Sequence, residues 1–192
     1  MPRWEPNTRE RLVRAAVDLF DEQGYDATTV SQIAERAGGL TKMTFFRYFP
    51  DKREVLFAAG QEVHSRLLAD AIAAAPAPAT PLEAVAAGLD ALTATFTDDR
   101  RVFAARLRAV IAANGELRER AVFKRAGLAS AMAEALEKRG LPEPTASLAA
   151  ELGVGAFYRA FDRWANPAGR QTLTELTREA LGQLRAATAT LG

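Results

Sequence analysis

Cysteine is absent from this 192-residue chain, and histidine occurs once, at His64. The first absence excludes disulfides and Cys-based zinc sites and suits a reducing cytoplasm. The second leaves no His pair to hold a metal or to activate a nucleophile. There is no Gly-rich phosphate loop and no carboxylate pair set apart from surface charge, so no enzyme active site, cofactor or metal is expected. No apolar run approaches the roughly 18 residues of a membrane span. The opening MPRWEPNTRERL also lacks the apolar stretch of a secretory signal, so a cytoplasmic protein without membrane association is expected. Neither sign of charge dominates: 25 Lys and Arg stand against 24 Asp and Glu, a net of +1, so bulk electrostatics alone does not mark a nucleic-acid binder. Sustained two-residue alternation is missing too, which argues against a sheet.

What is present is helical periodicity punctuated by turn residues, and it predicts an all-α fold of about nine helices. Asn7 with Glu10 resembles a capping box, and Leu12, Ala16, Leu19 and Phe20 recur at helical spacing until Gly24 stops the first helix. Thr29 with Gln32 opens a second helix, whose buried side is Val30, Ile33, Ala34 and Ala37. Gly38 and Gly39 end it, Thr41 can cap a third helix to about Tyr48, and Pro50 breaks that one. Asp51 followed by Glu54 caps a long fourth helix to about Ala75. Residues 76–81, rich in proline, form the one clear joint; Thr80, Pro81 and Glu83 start the next helix, to about Thr97. Further helices are expected over 100–113, 116–139, 145–165 and 172–189. This divides the chain into an N-terminal three-helix bundle at 7–50, a connecting helix at 51–75, the joint at 76–81 and a helical regulatory and dimerisation domain at 82–192.

Two short helices joined by a glycine turn are the sequence form of a helix-turn-helix, here at about 29–49, whose second helix enters the major groove of DNA. Local charge agrees: from Arg36 to Arg53 five bases stand against Asp51, and Met1 to Arg14 carries four Arg against two Glu, while Ala15 to Glu35 carries five acids and no base. On the third helix Phe45 and Phe49, four apart, can share an inward face, which turns Lys42, Met43, Phe46 and Arg47 outward. Exposed Phe46 and Tyr48 beside Lys42 and Arg47 suit a surface that meets phosphates and base edges. Lys52, in the first turn of the fourth helix, can serve as a second donor to a phosphate held at that helix N-terminus.

The final two helices form a hairpin across the turn at Asn166–Gly169. Ala149, Gly153, Ala156 and Ala160 make a small-residue stripe on one, and Leu173, Leu176, Ala180, Leu184 and Ala187 a seam on the other. Two copies could join these faces as a four-helix dimer interface; equally, both stripes could face the core of a single chain. His64, Phe96, Phe103, Phe123, Met132, Phe157, Phe161 and Trp164 could line an apolar ligand cavity or be plain core. Arg106, Arg108, Arg118, Arg120, Lys124 and Arg125 suggest either an anionic partner or a solvated face.

Thr29-Val30, Ile33-Ala34, Arg36-Ala37-Gly38 and the run from Thr41 to Lys52, TKMTFFRYFPDK, followed by the apolar start of the fourth helix, resemble the tetracycline-repressor-like (TetR/AcrR) transcriptional regulators. The resemblance covers roughly residues 8–60; the rest matches only in helix count and order. It implies a homodimer whose three N-terminal helices bind a palindromic operator in double-stranded DNA. It also implies a C-terminal helical domain that dimerises and often binds a small-molecule effector, whose binding releases the DNA. By the resemblance Thr41, Lys42, Thr44, Phe46, Tyr48 and Lys52 fall where the family contacts DNA, with Thr29 capping the supporting helix at the phosphate backbone. The chain departs from the pattern in the two residues, Gly39 and Leu40, that stand between the turn Gly38 and the capping Thr41 where one is usual. It departs also in Phe46 for the usual Tyr and in Met43 for a common Gly. The rival reading is a helical protein-interaction module whose helix-turn-helix meets no DNA.

Overall fold

The chain was described from a computed structural model, which covers residues 8–57, 61–166 and 168–190. Every regular element among them is helical: α1 (Thr8–Gln23), α2 (Val30–Arg36), α3 (Lys42–Tyr48), α4 (Glu54–Phe57), α5 (Gln61–Ala74), α6 (Pro81–Thr93), a 3-10 turn (Asp98–Arg100), α7 (Arg101–Ala113), α8 (Gly115–Lys138), α9 (Glu143–Trp164) and α10 (Leu173–Ala189). The expected Asn7 cap lies outside the described residues. So does the stretch 58–60 of the expected fourth helix, which is helical on either side of it, and so does Pro167 of the last turn. No helix among the described residues is long and apolar enough to cross a membrane, and no cluster of His, Asp or Glu among them could hold a metal ion.

Two compact units emerge: one reaches to Gln61 and includes Arg106–Val122, and the other comprises Glu62–Ala105 with the chain from Phe123 onward. In the first, α1 buries Leu12, Val13, Ala16, Val17, Leu19 and Phe20 and packs on α2 and α4. Gly24, at φ +86°, ends α1 with its N–H on the Phe20 carbonyl at 3.0 Å. The buried Thr28 hydroxyl donates to the Gly24 carbonyl at 2.8 Å and so fixes the corner before α2. The segment 106–122 joins this unit through polar contacts. Arg106 pairs with Asp18 at 2.8 Å and Asp21 at 3.2 Å, Glu116 takes Arg53 at 3.2 Å and the Tyr25 hydroxyl at 3.2 Å, and Arg120 pairs with Glu54. Arg106 and Arg120 are therefore engaged by the chain's own carboxylates, which leaves these two of the six bases less available to an anionic partner.

In the second unit α9 packs along α10, and α6 lies against both. Leu68, Ile72, Val85, Leu89, Leu92, Met132, Leu136, Val154, Trp164 and Leu173 are almost wholly buried there. The Pro-rich segment 76–81, expected as a joint between the two halves, lies inside this unit. Arg139 holds its leading edge by donating to the Ile72, Ala73 and Ala75 carbonyls at 2.8–2.9 Å and to Pro76 at 3.3 Å, which caps the end of α5. Thr80 and Glu83 form the expected capping box, with Pro81 in the first turn. α9 starts earlier than its prolines suggested: Pro142 is the cap and Pro144 sits in the first turn, where a missing N–H costs nothing.

Candidate nucleic-acid interface

α2 and α3 are short because their ends are set locally. Thr29 accepts from the Gln32 N–H at 3.2 Å, and the Gln32 carboxamide returns to the Thr29 N–H at 2.8 Å. The turn after α2 needs two residues in the left-handed region, and Gly38 at φ +106° and Gly39 at φ +70° supply them. The additional residue is absorbed by hydrogen bonds: the Gly39 N–H reaches Glu35 at 2.8 Å, and the Leu40 N–H reaches back to Ala34 at 2.9 Å. Arg11 of α1 donates from Nε to the Ala37 carbonyl at 2.8 Å, and a Cβ at Gly38 would collide with its guanidinium. Thr41 then caps α3, accepting from the Thr44 N–H at 3.1 Å, and the two hydroxyls lie 3.0 Å apart.

α3 carries one inward face. Phe45 and Phe49 are fully buried, their ring centroids 5.4 Å apart. Lys42, Arg47, Met43 (79% exposed) and Phe46 (46% exposed) project to solvent, with Thr44 and Tyr48 half-buried at the margins. The Phe46 ring rests edge-on against Phe45 at 5.6 Å, and the Lys42 ammonium stands 5.8 Å from its centre. The local excess of positive charge is smaller in space than in sequence. Arg36 is clamped by both oxygens of Glu22 at 2.8 and 2.9 Å, which holds the Glu22 carboxyl below its usual range. Arg53 pairs with Asp51 and Glu116. Lys42 and Arg47 are the exposed bases of the segment that make no ion pair among the described residues.

Lys52 is placed differently from its expected role as a phosphate donor. Asp51 caps the next helix as foreseen, accepting the Glu54 N–H at 3.0 Å, but α4 begins only at Glu54. The Lys52 ammonium donates to the Tyr25 and Thr28 carbonyls at 2.7 and 2.9 Å, with the Tyr25 ring centre 3.9 Å away. Burial and then the Glu116 carboxylate push the Tyr25 phenol well above its ordinary range, so it stays protonated beneath that ammonium.

The other expected sites also shift. Ala149, Gly153, Ala156, Ala160, Leu173, Leu176 and Ala180 are buried within the single chain; a Cβ on Gly153 would run into Val85 and Met132. That stripe is core, and it cannot also be a dimer surface. Of the pocket residues, His64, Phe96, Phe157 and Phe161 do gather: Phe96 lies 5.6 Å from His64, 6.2 Å from Phe157, 6.0 Å from Phe161 and 5.9 Å from Trp164. Burial, followed by the Arg100 charge, lowers the His64 pKa below its ordinary value. Phe103 is half-buried on α7. Met132 is instead core, and Phe123 is 65% exposed, so neither lines a cavity with the others. A groove of about 330 Å³ between α8 and α9, lined by Ala133, Ala150, Glu134, Glu137 and Glu151, contains none of the expected ligand residues. Sequence reasoning missed Arg11 and the 106–122 segment; their partners are far along the chain, and no local spacing signals them.

The capped α2, the closed glycine turn and α3, with its outward basic and apolar face, define a helix-turn-helix. Residues 12–59 match the family model described as bacterial regulatory proteins, tetR family. The likeness to that family lies in this N-terminal segment. It is 40% identical over 91 residues to the HTH-type transcriptional regulator TcmR of Streptomyces glaucescens, a match covering 47% of this chain and 39% of that protein. The chain thus spans well under half the length of the curated relatives it matches. Its fold is similar to that of the Bacillus subtilis transcriptional regulator FadR in complex with stearoyl-CoA, with 21% identity, TM-score 0.60, and 91% of this chain and 96% of that one covered. It is similar also to Thermus thermophilus FadR, a TetR-family transcriptional repressor in complex with lauroyl-CoA, with 26% identity, TM-score 0.52 and 92% of each chain covered.

Proposed function

We propose that the protein is a dimeric cytoplasmic transcriptional repressor that holds a two-fold symmetric operator through α3 and leaves it when a small ligand binds the second unit. The observation that carries this reading is the solvent face of α3, where two bases with no ion pair among the described residues, Lys42 and Arg47, border exposed Met43 and Phe46. Lysine and arginine neutralise phosphates, and a short capped helix fits the major groove. The proposed DNA contacts are Thr41, Lys42, Met43, Thr44, Phe46, Arg47 and Tyr48, with Thr29 at the backbone.

For the ligand, the aromatic cluster of His64, Phe96, Phe157, Phe161 and Trp164 suits an apolar or aromatic effector. Such a molecule releases DNA only by as much as it prefers the state in which the two α3 helices no longer match the half-sites. For the dimer, the solvent side of the α9–α10 hairpin offers Leu148, Leu152, Gly155 and Leu184 in place of the buried stripe.

Selection of bound sequences from a random duplex pool, followed by footprinting across a salt series, tests the reading. The expected result is a two-fold symmetric site with half-sites roughly 34–36 Å apart, bound with a steep inverse dependence on salt. Weak, sequence-blind binding would instead favour a protein-interaction module.

A further inference from the structure

We infer that each operator half-site presents a thymine to the N-terminal half of α3 and that its C5 methyl is read by Met43 and Phe46. This rests on the DNA-binding reading above and names what that surface recognises. Adenine in the major groove is normally held by a bidentate Asn or Gln, and α3, KMTFFRY, has neither. The nearby amide of Gln32 is engaged, its oxygen accepting from the Thr29 N–H at 2.8 Å and from the Thr29 hydroxyl at 2.9 Å. The hydroxyls of Thr41 and Thr44 are turned to each other and to the cap. What remains on α3 for reading bases, besides the half-buried Tyr48 hydroxyl at its C-terminal end, is two cations and an apolar spot.

Lys42 and Arg47 can meet phosphate or the acceptors of guanine, and neither identifies an A·T pair. The apolar spot is formed by Met43 and Phe46, three residues apart on one side of α3. Phe46 is pre-set, its ring edge-on against the buried Phe45 and covered by the Lys42 ammonium. Met43 is a flexible thioether that can fit an irregular surface. Flanking positive charge brings this spot against a polyanion, and the apolar group that the major groove of DNA offers there is the thymine methyl. The contact reads C5 substitution rather than hydrogen-bonding groups, so 5-methylcytosine carries the same signal.

The test starts from the site obtained by selection and replaces each thymine in turn with deoxyuridine, which removes only the methyl. At one thymine per half-site, affinity is expected to fall roughly four-fold per methyl, or about 15-fold when both half-sites are changed. Cytosine at that position should bind worse than 5-methylcytosine. Met43→Ala lies at an exposed helical position that alanine favours, so folding is retained; with it the penalty for deoxyuridine should shrink toward two-fold, while Met43→Leu keeps it. Deoxyuridine tolerated at every position, or a full penalty persisting in both Met43→Ala and Phe46→Ala, would overturn the inference and leave the operator reading standing. Failure to select any site would overturn both.

Discussion

The Lys52 ammonium donates two charged hydrogen bonds to the carbonyls of the α1–α2 corner, whereas the exposed Lys42 stands over the Phe46 ring and makes no ion pair among the described residues. The same side-chain type therefore carries different work at the two positions. Lys42→Ala is expected to weaken DNA binding for all sequences alike and to reduce the slope of log affinity against log salt by about 1, with the thermal midpoint unchanged. Lys52→Ala deprives two carbonyls of a charged donor and is expected to cost about 1.5–3 kcal/mol of stability, with the salt slope of the folded protein unaltered. Paired calorimetry and salt titrations check both; a reduced slope for Lys52→Ala at unchanged stability would return Lys52 to the DNA face. Arg36, by contrast, is bound to Glu22 with both side chains about half exposed, and an ion pair so hydrated contributes little to stability.

At the level of the element, the turn between α2 and α3 decides where the recognition helix points. Gly38 is required twice over, by φ +106° and by the Arg11 guanidinium that occupies the space of its missing Cβ, while Gly39 at φ +70° has nothing within 4 Å. Gly38→Ala is expected to cost about 1–3 kcal/mol and to impair DNA binding. Gly39→Asn should be near neutral, because asparagine tolerates the left-handed region. Urea denaturation of the two variants separates these outcomes; equal losses would show that Arg11 does not set the turn. The sequence made this element legible to the residue in its caps, Thr29 with Gln32, Thr41, and Asp51 before Glu54, since each closes over three residues and needs no knowledge of the rest of the chain. It made the inward pair Phe45 and Phe49 legible for the same reason, through helical spacing. The destination of Arg11, Lys52 and Arg106 was not legible, because each reaches a group brought near only by folding. The small-residue stripe of α9 was half legible: Gly153 and its neighbours announce a close approach, but spacing does not say whether the approaching helix belongs to the same chain.

For the whole molecule, the buried stripe changes which surface a second copy can use. α9 packs its Ala149, Gly153, Ala156 and Ala160 side inward, which leaves Leu148, 62% exposed, with Leu152 and Gly155 at spacings of four and seven on a flanking side. Leu184 of α10 adjoins them: its terminal carbon lies 3.8 Å from where a Cβ on Gly155 would stand. A stable dimer buries roughly 800 Å² per partner, so this apolar line would form only the centre of the contact. Leu148→Glu places a charge there without touching the core and is expected to yield a folded monomer by sedimentation, with unchanged helicity. Its affinity for a two-half-site operator should fall by about 10²–10⁴, because the second α3 is no longer delivered by the first. Gly153→Leu must instead be accommodated against Val85 and Met132 and is expected to unfold the second unit rather than dissociate it. If Leu148→Glu stayed dimeric while a substitution elsewhere on the exposed surface gave monomers, the operator's two-fold symmetry would have to be matched through another face.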